Sequence, residues 1–310
     1  MKYLQPKSVY NRIGWFLSVL LAVMLYIQIL GIILGVTIDK QILENMDFIM
    51  ILNIVSYYCI AFPIYAVCMN TLEGKPKEEK EKLGVGKFVV VFLIAFSFIN
   101  VANLINVGFS ALFKVITGVT LKGELDDILT EPNLMTVLTT VILAPVFEEL
   151  TFRYFALNKL RKYGDKTAIF ATAVLFGLFH MNFEQGIYAV AVGCVLGYVA
   201  CRTGRIGYCI AIHMLVNFCG GILPLLVETS QNPLIETIYN TGYFSLILLG
   251  AVLFLVNCKR IKLEPAKEYV PNPLGSFLAN PGMLIFVITC VLFMVYSFGM
   301  KVFTSVFPNF

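Results

Sequence analysis

Charge is what this chain has least of. Asp, Glu, Lys and Arg make up 14% of its 310 residues, against about 25% in a soluble domain that must cover itself with water-facing groups. With 59% hydrophobic residues and a mean hydropathy of +0.84, a water-soluble globular fold is excluded and an all-α, polytopic transmembrane bundle is expected. Histidine is scarcer still, with two residues, and tryptophan occurs once. There is no CxxC pair, no HExxH run and no cysteine cluster at zinc-ligand spacing. The eight cysteines lie in or beside apolar runs and read as small packing residues, not as a disulfide framework. No internal repeat or low-complexity segment is visible. The net charge of +4 is carried by short loops between apolar runs, the pattern of topology determinants, so no nucleic-acid partner is expected.

What the sequence does have is apolar runs of the roughly 17–25 residues that cross a bilayer. Nine are expected, at about 13–36, 48–70, 88–114, 134–160, 166–181, 186–202, 206–227, 236–257 and 282–303. The first exceeds a signal-peptide core of roughly 7–15 residues and is expected to be an uncleaved span. With the N-terminus inside, nine spans put every Lys and Arg on the cytoplasmic side except Lys40, Lys114, Lys122 and Lys301. That asymmetry is what the positive-inside rule predicts for an N-in, C-out topology. Segment 115–133 is expected as an acidic outer loop with room for an interfacial helix, and the Pro-rich, basic segment 258–281 as a cytoplasmic linker. The chain divides into N-terminal helices and outer loop (1–130), a core (131–228) and C-terminal helices with their linker (229–310).

The core carries the polar residues that need explaining. Glu148 and Glu149, in APVFEELTFRYF, are the only carboxylates well inside an expected span. A charge at the bilayer centre costs roughly 2.5–3.5 kcal/mol on insertion scales, so polar groups gathered there are functional candidates. Both histidines, His180 and His213, are also in apolar context. Glu148 precedes Gly164 by sixteen residues and His180 follows it by sixteen. In a helical hairpin turning at that glycine the two lie at equal depth. Glu149 and Arg153 are i and i+4 on one helix, the spacing of an ion pair, while Glu148 has no counter-charge on its own helix and suits a general base. Pro145 removes the helical partner of the Val141 carbonyl and can open the helix locally. His213 and Asn217 are again i and i+4 and could donate two hydrogen bonds to an oxyanion. Ala189, Gly193, Gly197 and Cys201 recur every four residues as a packing stripe.

With these residues in view, the chain resembles the CAAX-protease and bacteriocin-processing family of intramembrane proteases. Its three motifs stand here, in order, as EELTFR (Glu148, Glu149, Arg153), FGLFH (Phe176, His180) and HMLVN (His213, Asn217). The resemblance covers roughly residues 134–228, and the final span looks like an addition to that core. It implies a membrane-embedded endopeptidase in which Glu148 and His180 activate a water, His213 and Asn217 stabilise the oxyanion, and Glu149 and Arg153 shape the first motif. It also implies a peptide or small-protein substrate, a bacterial plasma membrane, and possible roles in bacteriocin processing. Zinc is a possible cofactor, with Glu148, His180 and His213 as the ligand set, although the absence of HExxH favours no tightly bound metal. Two other classes compete. A transporter would also gather Glu, His and Asn near the midplane, but usually shows two repeated halves. A catalytically silent receptor or immunity protein could keep the fold without the reaction.

Overall fold

Nine long helices follow the apolar runs in the computed structural model, which describes residues 5–38, 45–74, 81–121, 134–266 and 271–307; no strand occurs among them. They are α1 (Pro6–Ile38), α2 (Asp47–Asn70), α3 (Val85–Thr117), α4 (Leu134–Tyr163), α5 (Asp165–Phe179), α6 (Phe183–Thr203), α7 (Ile206–Thr229), α8 (Pro233–Arg260) and α9 (Pro281–Val306). Asparagine starts several of them. Asn45, Asn182, Asn232 and Asn280 each accept a hydrogen bond from a backbone N–H of the first turn, satisfying a donor the helix cannot. In α8 and α9 a proline follows that cap, where its missing N–H costs nothing. The expected interfacial helix in 115–133 falls largely outside the described residues.

Eight of the nine helices are long and apolar enough to cross a membrane, and the chain is an integral membrane protein. The fifth is the exception. At 15 residues α5 rises about 22 Å, short of a hydrocarbon core of about 30 Å. It stops because His180 ends the helix, Met181 takes a left-handed φ of 53°, and Asn182 caps α6. The outer faces are apolar, as lipid requires. Leu248 and Leu255 of α8 are each 68% exposed.

Three π turns have one cause. They lie at Val55–Ala61, Leu138–Leu143 and Phe218–Ile222, each just before a proline inside its helix: Pro63, Pro145 and Pro224. A proline ring clashes with the carbonyl four residues earlier. The helix answers by widening one turn, so the residue before each proline donates five residues back: Phe62 to Tyr57, Ala144 to Thr139, Leu223 to Phe218. A fourth π turn, Leu150–Leu157, has no such proline; it begins directly after Glu149. Isolated π turns of that kind are frequent at functional sites.

The loops expected in the cytoplasm meet at one end of the bundle. Lys159 Nζ donates to the Leu72 carbonyl, Arg202 lies 3.8 Å from Glu81, and Arg161 donates to the Cys201 carbonyl at 3.1 Å. The linker is no loose connector there. Glu264 O accepts from the Asp165 backbone N–H at 2.9 Å, and Glu264 N–H returns a bond to Asp165 Oδ2 at 3.0 Å. Gly164, at φ +96°, is needed at that hairpin turn: a Cβ would also come within 3.1 Å of Ala266 N. At the opposite end Glu184 of α6 pairs with Lys301 of α9, and its carbonyl accepts from Asn106. The last helix is packed into the bundle. Phe286 and Cys290 of α9 belong to the buried core with Tyr10, Ile13 and Leu17 of α1.

Candidate active site

The hairpin of α4 and α5 has the register counted from Gly164. Phe152 and Phe176, twelve residues to either side, are in ring contact at 5.3 Å between centroids. Phe176 is the platform of the site. The Arg153 guanidinium lies over its face at 4.4 Å, while the imidazoles of His180 and His213 meet it edge to face at 4.8 and 5.7 Å. One aromatic ring thus carries a cation on its negative face and both histidines of the chain beside it.

Four polar groups form a continuous chain. Arg153 Nη1 donates to Glu149 Oε1 at 2.8 Å, and the same oxygen lies 3.0 Å from His213 Nδ1. His213 Nε2 lies 3.7 Å from Glu148 Oε2. The side chains of Arg153 and Glu149 are fully buried, whereas that of Glu148 keeps 15% of its surface. The two adjacent glutamates therefore differ as their spacing suggests: one is locked in a buried ion pair, and the other faces space that solvent or substrate can enter. Arg153 fits because α6 presents no side chain to it at Gly193, where a Cβ would lie 3.2 Å from Nη2 and 3.1 Å from Ala173 of α5. The stripe at Gly193 and Gly197 is a packing seam against α5, and one of its glycines also makes room for the site's only arginine.

Asn217 is held by a carbonyl that Pro145 releases. In a regular helix Thr140 O would accept from the Ala144 N–H, but that N–H goes to Thr139, and Pro145 has none to offer. Asn217 Nδ2 fills the gap, donating to Thr140 O at 2.9 Å. One carboxamide N–H remains for other use. His180 is set apart from the four-group chain. It sits at the end of α5, and its Nδ1 bonds the Phe176 carbonyl at 2.8 Å. A carbonyl accepts only, so Nδ1 carries the hydrogen and Nε2 the lone pair.

Sequence reasoning placed the second helix but gave it no part in the site. Tyr65 OH donates to the Thr151 carbonyl at 3.2 Å, Tyr57 OH lies 3.3 Å from Thr151 Oγ1, and Tyr58 stacks on Phe147 at 4.6 Å. The only advance signal was the Ser-Tyr-Tyr run ahead of Pro63. It also missed the link from His213 to Glu149. Among the described residues no group of three His, Cys, Asp or Glu side chains is gathered to hold an ion. Nδ1 of each histidine is engaged, with the Phe176 carbonyl and with Glu149, which leaves Nε2 as the free ring nitrogen of both.

Comparison with known proteins agrees with the motif resemblance. Residues 130–219, which contain all three motifs, match the family described as Type II CAAX prenyl endopeptidase Rce1-like. The chain is also 30% identical over 145 residues to CAAX prenyl protease 2 of Arabidopsis thaliana, covering 40% of this chain and 46% of that protein. It thus spans about half the length of that curated relative. No solved structure matches. The likeness to a family of CAAX-type membrane endopeptidases, first drawn from the motifs, is borne out by both matches.

Proposed function

We propose that the protein is an intramembrane endopeptidase that hydrolyses a peptide bond with a water activated by Glu148. The observation that carries this reading is the continuous line Arg153–Glu149–His213–Glu148, at 2.8, 3.0 and 3.7 Å. It ends on a partly accessible carboxylate in an otherwise dry interior. Glu148 takes a proton from the water as that water attacks the carbonyl carbon, and delivers it to the leaving amine. His180, with its Nε2 lone pair, orients the same water. His213 is held by Glu149 through Nδ1; its Nε2 edge faces the reacting space and donates to the oxyanion when it carries a proton. Asn217 offers its second N–H to that oxyanion. Glu149 and Arg153 position His213 and do not react. Orientation N-in, C-out places the basic end of the bundle in the cytoplasm.

The substrate is a peptide or small protein held at the membrane. The named relative makes a prenylated CAAX peptide the first to try. In the test, purified full-length protein is reconstituted in vesicles and given a farnesylated CAAX peptide and its unprenylated twin, with products read by mass spectrometry. Wild type should cleave at least one. Glu148→Gln should be folded, inserted and inactive, and His180→Ala should fall to near background. Cleavage by Glu148→Gln at the wild-type rate would remove the general-base assignment. No cleavage of either peptide would favour a silent binding protein.

A further inference from the structure

The π turn Leu150–Leu157 begins directly after Glu149 and has no proline to cause it. Such turns are rare because the α-helix is otherwise preferred, so one that no ring clash forces needs a hold from outside its helix. α2 supplies that hold. Phe147, Thr151 and Phe155 of α4 stand four residues apart and form the stripe that meets α2. Ring centroids of Phe147 lie 4.6 Å from Tyr58 and 4.8 Å from Phe62, and those of Phe155 and Tyr65 are 5.9 Å apart. Thr151 is buried between the two phenylalanines, and two tyrosine hydroxyls converge on it. Tyr65 OH donates to its carbonyl at 3.2 Å. Thr151 Oγ1 gives its one hydrogen to the Phe147 carbonyl at 2.8 Å, so at its 3.3 Å contact with Tyr57 the tyrosine is the donor.

We propose that Tyr57 and Tyr65 are positioning residues for Glu148: their hydroxyls, acting through Thr151, fix the widened turn and with it the angle at which α4 presents the carboxylate to His213. Glu148 sits between the two residues that α2 grips, one after Phe147 and three before Thr151. Rings alone would pack the interface, as Phe62 does against Phe147 and Phe155 without a hydroxyl. What the hydroxyls add is direction, since a bond to one carbonyl and one Oγ1 sets the rotation of α4 about its axis, which stacked rings tolerate. Tyr57 also reaches the other side of the site, its ring 5.7 Å from Phe179 beside His180. Both hydroxyl protons are spent on Thr151, so neither tyrosine serves as an acid. The role rests on the reading of Glu148 as general base.

The test compares single and double Tyr57→Phe and Tyr65→Phe variants of the full chain in vesicles, on the farnesylated CAAX peptide and its unprenylated twin, with rates per folded protein. A net hydrogen bond is worth a factor of about two to ten, which bounds the loss of the competent geometry. Each single variant should lower kcat by about that factor and the double by up to roughly a hundredfold, with KM within about twofold of wild type. Thr151→Val removes the oxygen that Tyr57 reaches, so adding Tyr57→Phe to it should cost nothing further. A double variant with wild-type kcat, or one whose loss lies entirely in KM, would overturn the proposal. A second measurement needs no turnover. With Glu148→Cys in a cysteine-free background, the two Tyr→Phe changes should speed labelling by a small thiol reagent at least about threefold, because the freed turn no longer holds position 148 at one angle; equal rates would also overturn it. Wild type that cleaves neither peptide, with labelling still quickened, would remove the protease reading and leave the hold on position 148 standing.

Discussion

Replacing Glu149 by glutamine keeps the side chain's shape and removes its charge, and the structure gives that change a large cost. The Arg153 guanidinium has no exposed surface, and its Nε and Nη2 have no hydrogen-bond partner among the described residues. Glu149 is its only ion-pair partner there at hydrogen-bond distance. Removing one member of a buried pair typically costs about 3–5 kcal/mol, because the other charge is left in a dry interior. Against a whole stability of about 5–15 kcal/mol that is a large fraction. Glu149→Gln should therefore lower the free energy of unfolding by about 3–5 kcal/mol, measured by denaturant unfolding in mixed micelles with helix content as the signal. The double variant Glu149→Gln, Arg153→Met carries no unpaired charge and fills a similar volume, so it should recover at least half of the loss. It should stay nearly inactive, since His213 has lost its charged anchor. A single variant within about 1 kcal/mol of wild type, or a double variant no better than the single, would refute the reasoning.

Three further outcomes follow from the same geometry. Asn217→Ala should lower turnover by about 10²–10³, the usual worth of an oxyanion donor, with little change in substrate affinity; unchanged turnover would leave Asn217 as a tether only. Pro145→Ala restores an N–H to α4, lets the Thr140 carbonyl rejoin the helix and releases Asn217, so activity should fall while the unfolding midpoint holds or rises; full activity would separate the π turn from the site. In a cysteine-free background, an impermeant thiol reagent added from outside should label a cysteine at Thr120 and not one at Lys82. The reverse pattern would invert the proposed orientation.

What could be read in advance was whatever depended on one helix or on one turn. The partition of Glu148 and Glu149 followed from i, i+4 spacing, and the α4–α5 register from counting outward from Gly164. Two groups on different helices are another matter. The bond from His213 to Glu149 depends on how far α7 is rotated against α4, which Phe176 and the Thr140 carbonyl set and no periodicity reports. The end of α5 comes with a methionine at φ 53°, a residue type with no preference for that region; the short run expected at 166–181 stands as a helix of 15 residues. Tyr57 and Tyr65 carry no signal in an apolar run, where an aromatic ring is usually packing; their hydroxyl partners on Thr151 bring them to the site. Glu264 sat in a linker whose prolines and charges suggested solvent, and its backbone clamps the turn that sets the hairpin.

The prolines carry more information than helix breakers are usually credited with. Each widened turn sends the N–H before the proline one carbonyl further back, and the proline offers no N–H of its own. The carbonyl five residues before the proline is thereby left to seek a donor from outside its helix. In α4 that carbonyl is Thr140, and Asn217 supplies the donor at 2.9 Å. In α7 the same count from Pro224 reaches Cys219, whose carbonyl accepts from Tyr239 OH of α8 at 3.4 Å. In α2 it reaches Tyr58, whose ring lies against Phe147 beside Glu148. A buried carbonyl without a partner costs about 1–3 kcal/mol, so the bonds at Thr140 and Cys219 each tie a neighbouring helix to the widened turn. Pro145 has no chemistry to offer a peptide bond, yet it is the residue that fastens the helix of the third motif to the helix of the first.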